Sequence, residues 1–158
     1  MKFSFSRISA TLAIAAAALI AIPFGAQAQQ SPDYSYVGLA GGDNGLTVNS
    51  KISVYDNVSL RPEVSTDFTY NDDRDLSFFV PVTYDFNSVG SGRTAFNPFI
   101  GAGVAGDIGN NSRTDFALTA GADYRFANRY VANSSVHYKP FADSNELDFT
   151  AGIGYTFR

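Results

Sequence analysis

From Tyr34 to Arg158 the chain alternates apolar side chains with small or polar ones at a period of two, the pattern of strands that are greasy on one face and wet on the other. Turn signals interrupt it repeatedly: GGDNG, YDN, NDDR, NSVGSGRTA, GNNSR, ANR and ADSN, each carrying the Asn, Asp or Gly that tight turns use. Eight strands are predicted between them: Tyr34 to Gly41, Leu46 to Val54, Val58 to Tyr70, Leu76 to Phe86, Phe96 to Asp107, Asp115 to Phe126, Tyr130 to Pro140 and Glu146 to Phe157. Connections this short make consecutive strands antiparallel neighbours, because parallel pairing needs long crossovers. Eight such strands can close on themselves and leave no edge. The expected fold is all-β, an eight-stranded antiparallel up-and-down barrel.

The faces can be read strand by strand. In the last, Leu147, Phe149, Ala151, Ile153, Tyr155 and Phe157 oppose Asp148, Thr150, Gly152, Gly154, Thr156 and Arg158. In the sixth, Phe116, Leu118, Ala120, Ala122, Tyr124 and Phe126 oppose Asp115, Ala117, Thr119, Gly121, Asp123 and Arg125; the third and fourth repeat the division. A soluble barrel would turn the apolar face inward, and a transmembrane barrel would turn it toward lipid. Aromatic placement separates the two. Tyr34, Tyr55, Tyr84, Phe86, Phe96, Tyr124, Phe126, Tyr130, Tyr155 and Phe157 gather at one end of the strands, and Phe68, Tyr70, Phe78, Phe116, Tyr138 and Phe149 at the other. Two aromatic girdles around an aliphatic belt suit a bilayer, whereas a soluble core would put its largest rings at the centre. The opposite face then becomes a narrow lumen holding a charge network: Lys51, Arg61, Glu63, Asp67, Asp85, Asp123, Arg125, His137, Lys139 and Asp148. In this register no mid-strand charge meets lipid, where an Arg or Lys would cost about 2 to 4 kcal/mol.

The start of the chain is of another kind. Lys2 and Arg7 precede the apolar run Thr11 to Phe24, and Ala26-Gln27-Ala28 is a small-x-small cleavage site, so residues 1–28 read as a secretory signal peptide and 29–158 as the barrel domain. The run is short for a membrane-spanning helix. There is no cysteine, which removes disulfides and thiolate metal sites. The whole chain carries a formal charge of −4, and without Lys2 and Arg7 it carries −6; so acidic a protein is a poor nucleic-acid binder.

Few motifs suggest chemistry. Gly101 to Gly106 matches GxGxxG, but a strand follows where a dinucleotide site needs a helix. His137 is the only histidine, excluding a multi-histidine metal site. Ser135 shares its face, and Asp123 or Asp148 could approach from neighbouring strands, a formal Ser/His/acid set that the register points inward. Asn71 to Asp75 is an acidic hairpin without the ligand count of a calcium loop. No catalytic residue, metal or cofactor is expected.

The stretches FNPFIGAGVAGD, DFALTAGADYRFANRYVANSSVHY and LDFTAGIGYTFR, with the strand number and hairpin order, resemble the small eight-stranded outer-membrane barrels of the OmpA/OmpX-like kind. The resemblance covers the whole chain after residue 28. It implies the outer membrane of a Gram-negative-type bacterium, outer-membrane lipids as partners, and a monomer. It also implies recognition by the barrel assembly machinery through the last strand. Gly154, Tyr155 and Phe157 match that terminal signal, although Arg158 follows the aromatic where many members stop at Phe. The function expected is a non-enzymatic envelope barrel with a side-chain-filled interior. The alternatives are a small gated pore for ions or small solutes, a lipid-A-modifying barrel enzyme and a secreted soluble barrel.

Overall fold

The computed structural model describes residues 32–66, 76–90, 94–108, 112–141 and 146–157, with the side chain of Glu146 left aside. The expected signal peptide, the acidic hairpin, Asp67, Phe68, Tyr70 and Arg158 lie outside the described residues. The strand segments are β1 (Tyr36–Gly42), β2 (Gly45–Tyr55), β3 (Val58–Leu60), β4 (Glu63–Thr66), β5 (Leu76–Asp85), β6 (Ala95–Ile108), β7 (Arg113–Phe126), β8 (Tyr130–Lys139) and β9 (Glu146–Thr156). All pair antiparallel in the order β1-β9-β8-β7-β6-β5-β3/β4-β2, and β2 returns to β1. The sheet is therefore a closed barrel of eight wall positions, as the alternation predicts.

Its seam is the pairing of β1 with β9, unbroken from Tyr36 opposite Thr156 to Gly42 opposite Thr150. Short turns reverse the chain: Asn57, Ala127 and Asn128 adopt positive φ of 62°, 51° and 64° there. Asn57 stabilises its turn by donating from Nδ2 to the Asp85 carbonyl at 2.6 Å.

Two details depart from the expected strands. The third wall position, predicted as one run from Val58 to Tyr70, is split into β3 and β4 at Arg61-Pro62. Pro62 has no N–H to give the ladder. The register is the same on both sides of the break, with Leu60 opposite Ile52 and Glu63 opposite Asn49. The wall stays joined there by Arg61 N–H to the Pro81 carbonyl (3.0 Å) and Ser50 N–H to the Pro62 carbonyl (3.1 Å). A bulge between Ser53 and Tyr55 in β2 lets Val54 and Tyr55 both face outward.

A second correction concerns Tyr34. Expected in the outer aromatic girdle, it is 1% exposed and points into the lumen with Tyr36, against Val131. Its parity opposes Val37 and Leu39, which face outward, and its hydroxyl finds a buried carboxylate that no girdle position could offer.

The burial pattern is inverted relative to a soluble protein. Lys51 (0%), Asp123 (0%), Asp85 (1%) and Arg61 (3%) are buried, while Leu39, Val82, Ile100 and Ile153 are more than half exposed. A continuous apolar exterior around a charged interior is stable only where hydrocarbon replaces water outside. Closing the barrel satisfies the backbone polar groups within the wall, so the chain is a transmembrane β-barrel. No described helix is long and apolar enough to cross a membrane.

Candidate functional site

The lumen is built by strand alternation. β2 turns Lys51 inward, the unbroken parity from Ser59 to Glu63 turns Arg61 inward across the Pro62 break, and β5 and β7 supply Asp85 and Asp123. The Arg61 guanidinium meets Asp123 as a fork, Nη1 to Oδ1 at 3.1 Å and Nη2 to Oδ2 at 2.8 Å, the bidentate geometry that makes such pairs strong. Nη2 also donates to Asp85 Oδ1 (3.0 Å), Nη1 to the Tyr36 hydroxyl (3.3 Å) and Nε to Thr83 Oγ1 (3.1 Å). Lys51 Nζ lies 3.0 Å from Asp85 Oδ2 and donates to the Pro32 carbonyl. Ser59 donates to Asp85, and Tyr34 to Asp123 at 2.7 Å. Both cations also lie over aromatic faces, Arg61 on Phe99 at 3.6 Å and Lys51 on Tyr34 at 3.7 Å.

These contacts cross the lumen. Asp123 and Arg61 sit three wall positions apart around the ring, and Tyr34 precedes the strand on the far side of β9. Every charged group in the layer has a counter-charge and further hydrogen bonds, the condition under which buried ions are tolerated. Together with the rings of Tyr34, Tyr36 and Phe99 the layer forms a plug toward the end of the barrel where β1 begins and β9 ends.

Above it the interior is looser. Asn49 donates to Asn133 Oδ1 at 2.7 Å, and Thr47 and Ser65 hydroxyls are 2.8 Å apart. Farther out, His137 Nε2 is 3.0 Å from Ser135 Oγ and 3.4 Å from Glu63 Oε2, Phe79 packs edge-on against the imidazole, and Lys139 pairs with Asp148 at 3.1 Å. Asn49 Oδ1, Asn133 Nδ2, Thr119 Oγ1 and His137 Nδ1 are buried without a hydrogen-bond partner. A cavity of about 30 Å³ lies among Glu63, His137, Lys139 and Asp148, enough for about one water.

Nine of the ten residues expected in the interior charge network are described, and all nine line the lumen; Arg125 lies near the terminal mouth with its guanidinium 5.0 Å over Tyr34. The structure draws them into two groups, the Arg61 layer and the His137 layer. Sequence reading missed Tyr34, Tyr36, Ser59, Thr83 and Phe99 as partners, and Asn97, whose Nδ2 donates to the Tyr34 hydroxyl at 3.3 Å. Strand parity alone would have placed Tyr36 beside the charges.

The arrangement does not form a nucleophile relay. Such a relay needs the hydroxyl and the acid on opposite imidazole nitrogens. Ser135 and Glu63 both approach Nε2, and Asp148 is engaged by Lys139. Among the described residues no group of three or more His, Asp or Glu could hold a metal. The Gly101 to Gly106 motif lies within straight β6; a Cβ on Gly103 would come 2.2 Å from the Val80 carbonyl oxygen, so the small residues serve close approach within the wall. On the last strand, the inward Gly154 leaves room for the Tyr36 ring, while Tyr155 and Phe157 face out. At the terminal end, Arg129 Nη1 donates to the Tyr155 hydroxyl at 2.7 Å, which raises the guanidinium pKa above its ordinary value.

No protein-family model matches the chain, nor does any curated protein sequence. Solved structures do. The N-terminal β-barrel domain of Pseudomonas aeruginosa OprF superimposes with a TM-score of 0.60 at 16% identity, covering 81% of this chain and 100% of that one. The Yersinia pestis outer membrane protein Ail, solved in a phospholipid bilayer nanodisc, gives a TM-score of 0.50 at 15% identity, covering 81% of this chain and 100% of that one. The fold is thus that of small eight-stranded outer-membrane barrels; identities this low speak to fold alone.

Proposed function

We propose that the protein is a non-enzymatic structural barrel of a bacterial outer membrane, closed to permanent ion flow by its own side chains. The observation that carries this reading is the Arg61–Asp123 fork with Asp85 and Lys51, which fills the lumen with paired charges. Residues 1–28 direct export and are removed by cleavage after Ala28, and insertion follows recognition of Gly154, Tyr155 and Phe157 by the barrel assembly machinery. Envelope lipids are its partners, and it works as a monomer with the turns at 55–57, 87–95 and 127–129 facing the periplasm.

Conductance of the mature protein in a planar bilayer tests the closed state. No channel events are expected from wild type or Glu63→Ala; steady unitary conductance from wild type would refute the plugged reading and favour a pore. Mass spectrometry of lipid A from cells with wild type or His137→Ala should show no difference, and a modification lost in the variant would restore the enzyme reading. Membrane fractionation with unboiled gel electrophoresis tests location: the protein should sediment with outer membranes and shift on heating.

A further inference from the structure

The lipid-facing wall is not uniformly thick. Over the β1/β9 seam lies an open apolar groove of about 750 Å³. It exists because the rows crossing the seam taper: Val37 stands opposite Tyr155 and Leu39 opposite Ile153, and then Gly41 stands opposite Ala151. Leu46 and Val48 of β2 form one flank, while Tyr130 and Tyr155 close the end nearest the termini. The two tyrosine rings meet edge-on with centroids 5.8 Å apart. From Tyr155 to Ala151 the groove runs along roughly 13 Å of strand, at about 3.3 Å per residue.

A cation stands at that closed end. Arg129, in the β7–β8 turn, is exposed, adjoins Tyr130 in sequence and is tied through Nη1 to the Tyr155 hydroxyl at 2.7 Å. That bond fixes one edge of the guanidinium at the girdle level, above the apolar floor. We infer that the β1/β9 seam is a phospholipid site, with one acyl chain in the groove and the anionic headgroup phosphate on Arg129. The charge is complementary, the girdle tyrosines mark the headgroup boundary, and the groove begins immediately below them on the hydrocarbon side. Phosphate is the natural ligand of a guanidinium presented this way, and a groove facing hydrocarbon is filled by a chain. This inference rests on the membrane reading above.

The test uses the mature protein inserted into vesicles of equal phosphatidylglycerol and phosphatidylcholine, released into mild detergent and examined by native mass spectrometry. Wild type should keep one lipid, enriched at least fivefold in phosphatidylglycerol. Arg129→Gln, at an exposed turn, should lose that enrichment, and Ala151→Leu, which fills the groove floor, should lose retention. If Ala151→Leu fails to show heat-dependent gel mobility, Gly41→Ala replaces it as the milder obstruction. Equal retention and equal headgroup preference in wild type and Arg129→Gln would overturn the site. Failure of wild type to enter vesicles at all would instead overturn the membrane reading.

Discussion

Replacing Arg61 with Met is the sharpest perturbation of the lumen, because the apolar stem survives and only the charged fork is removed. The two carboxylates it serves are left in unequal positions. Asp85 keeps Lys51 at 3.0 Å and the Ser59 hydroxyl at 2.5 Å. Asp123 keeps the Tyr34 hydroxyl at 2.7 Å and the Tyr36 hydroxyl at 3.4 Å, and it loses its bidentate cation, the charge of Lys51 acting on it without a direct ion pair. Removing one partner of a buried pair costs about 3 to 5 kcal/mol, because the other charge stays buried uncompensated. The larger share falls on Asp123, which loses both bonds of the fork where Asp85 loses one. Arg61→Met should therefore destabilise by about 3 to 5 kcal/mol. The double variant Arg61→Met/Asp123→Asn carries no stranded charge, so it should be more stable than Arg61→Met alone, with a coupling energy of about 2 kcal/mol or more. Urea unfolding in phospholipid vesicles, followed by far-UV circular dichroism and by the fraction of heat-shiftable band, measures both. A loss below about 1 kcal/mol for Arg61→Met, or a double variant equal to the sum of the singles, would refute the plug as an interdependent unit.

Other outcomes follow from the same geometry. Tyr34→Phe removes the closest neutral donor to Asp123 and should cost about 1 to 3 kcal/mol in the same assay. Gly103→Ala would set a Cβ 2.2 Å from the Val80 carbonyl oxygen and 2.4 Å from Pro81 Cα, so it should lose about 1 to 3 kcal/mol by forcing β5 and β6 apart. Val82→Arg places a charge on the outer wall, where Val82 is 55% exposed; it should destabilise by about 2 to 4 kcal/mol in bilayers when measured by vesicle unfolding.

Most of the wall was legible in the chain. Leu76 to Phe86, Asp115 to Phe126 and Glu146 to Phe157 are found as β5, β7 and β9 within two residues at each end, because regular alternation leaves only one register that keeps charge out of lipid; the less regular Tyr130 to Pro140 is found as β8 with the same accuracy. Tyr34 was misplaced because an aromatic near a strand end has two good homes, the girdle or the lumen. Only the position of Asp123, 89 residues away, chooses between them. The split at Pro62 is a backbone matter that side-chain period cannot register. The interior partners were illegible for a geometric reason: which inward charges meet depends on strand tilt and stagger around the ring, and sequence spacing holds neither. Alternation could put Arg61, Asp85 and Asp123 on one face, but could not say that one guanidinium would bridge both carboxylates.

The charges of the Arg61 layer also cancel. Within the Arg61 layer, the two cations Lys51 and Arg61 are matched by the two carboxylates Asp85 and Asp123. An electric potential across a membrane does work of about 2.3 kcal/mol per 100 mV on each elementary charge it moves from one side to the other. A plug whose parts are locked together and sum to zero offers such a field no net charge to displace. Voltage therefore has no handle on this layer, and only an agent that separates its pairs from one another, such as a strong denaturant or a charge-deleting substitution, can unlock it.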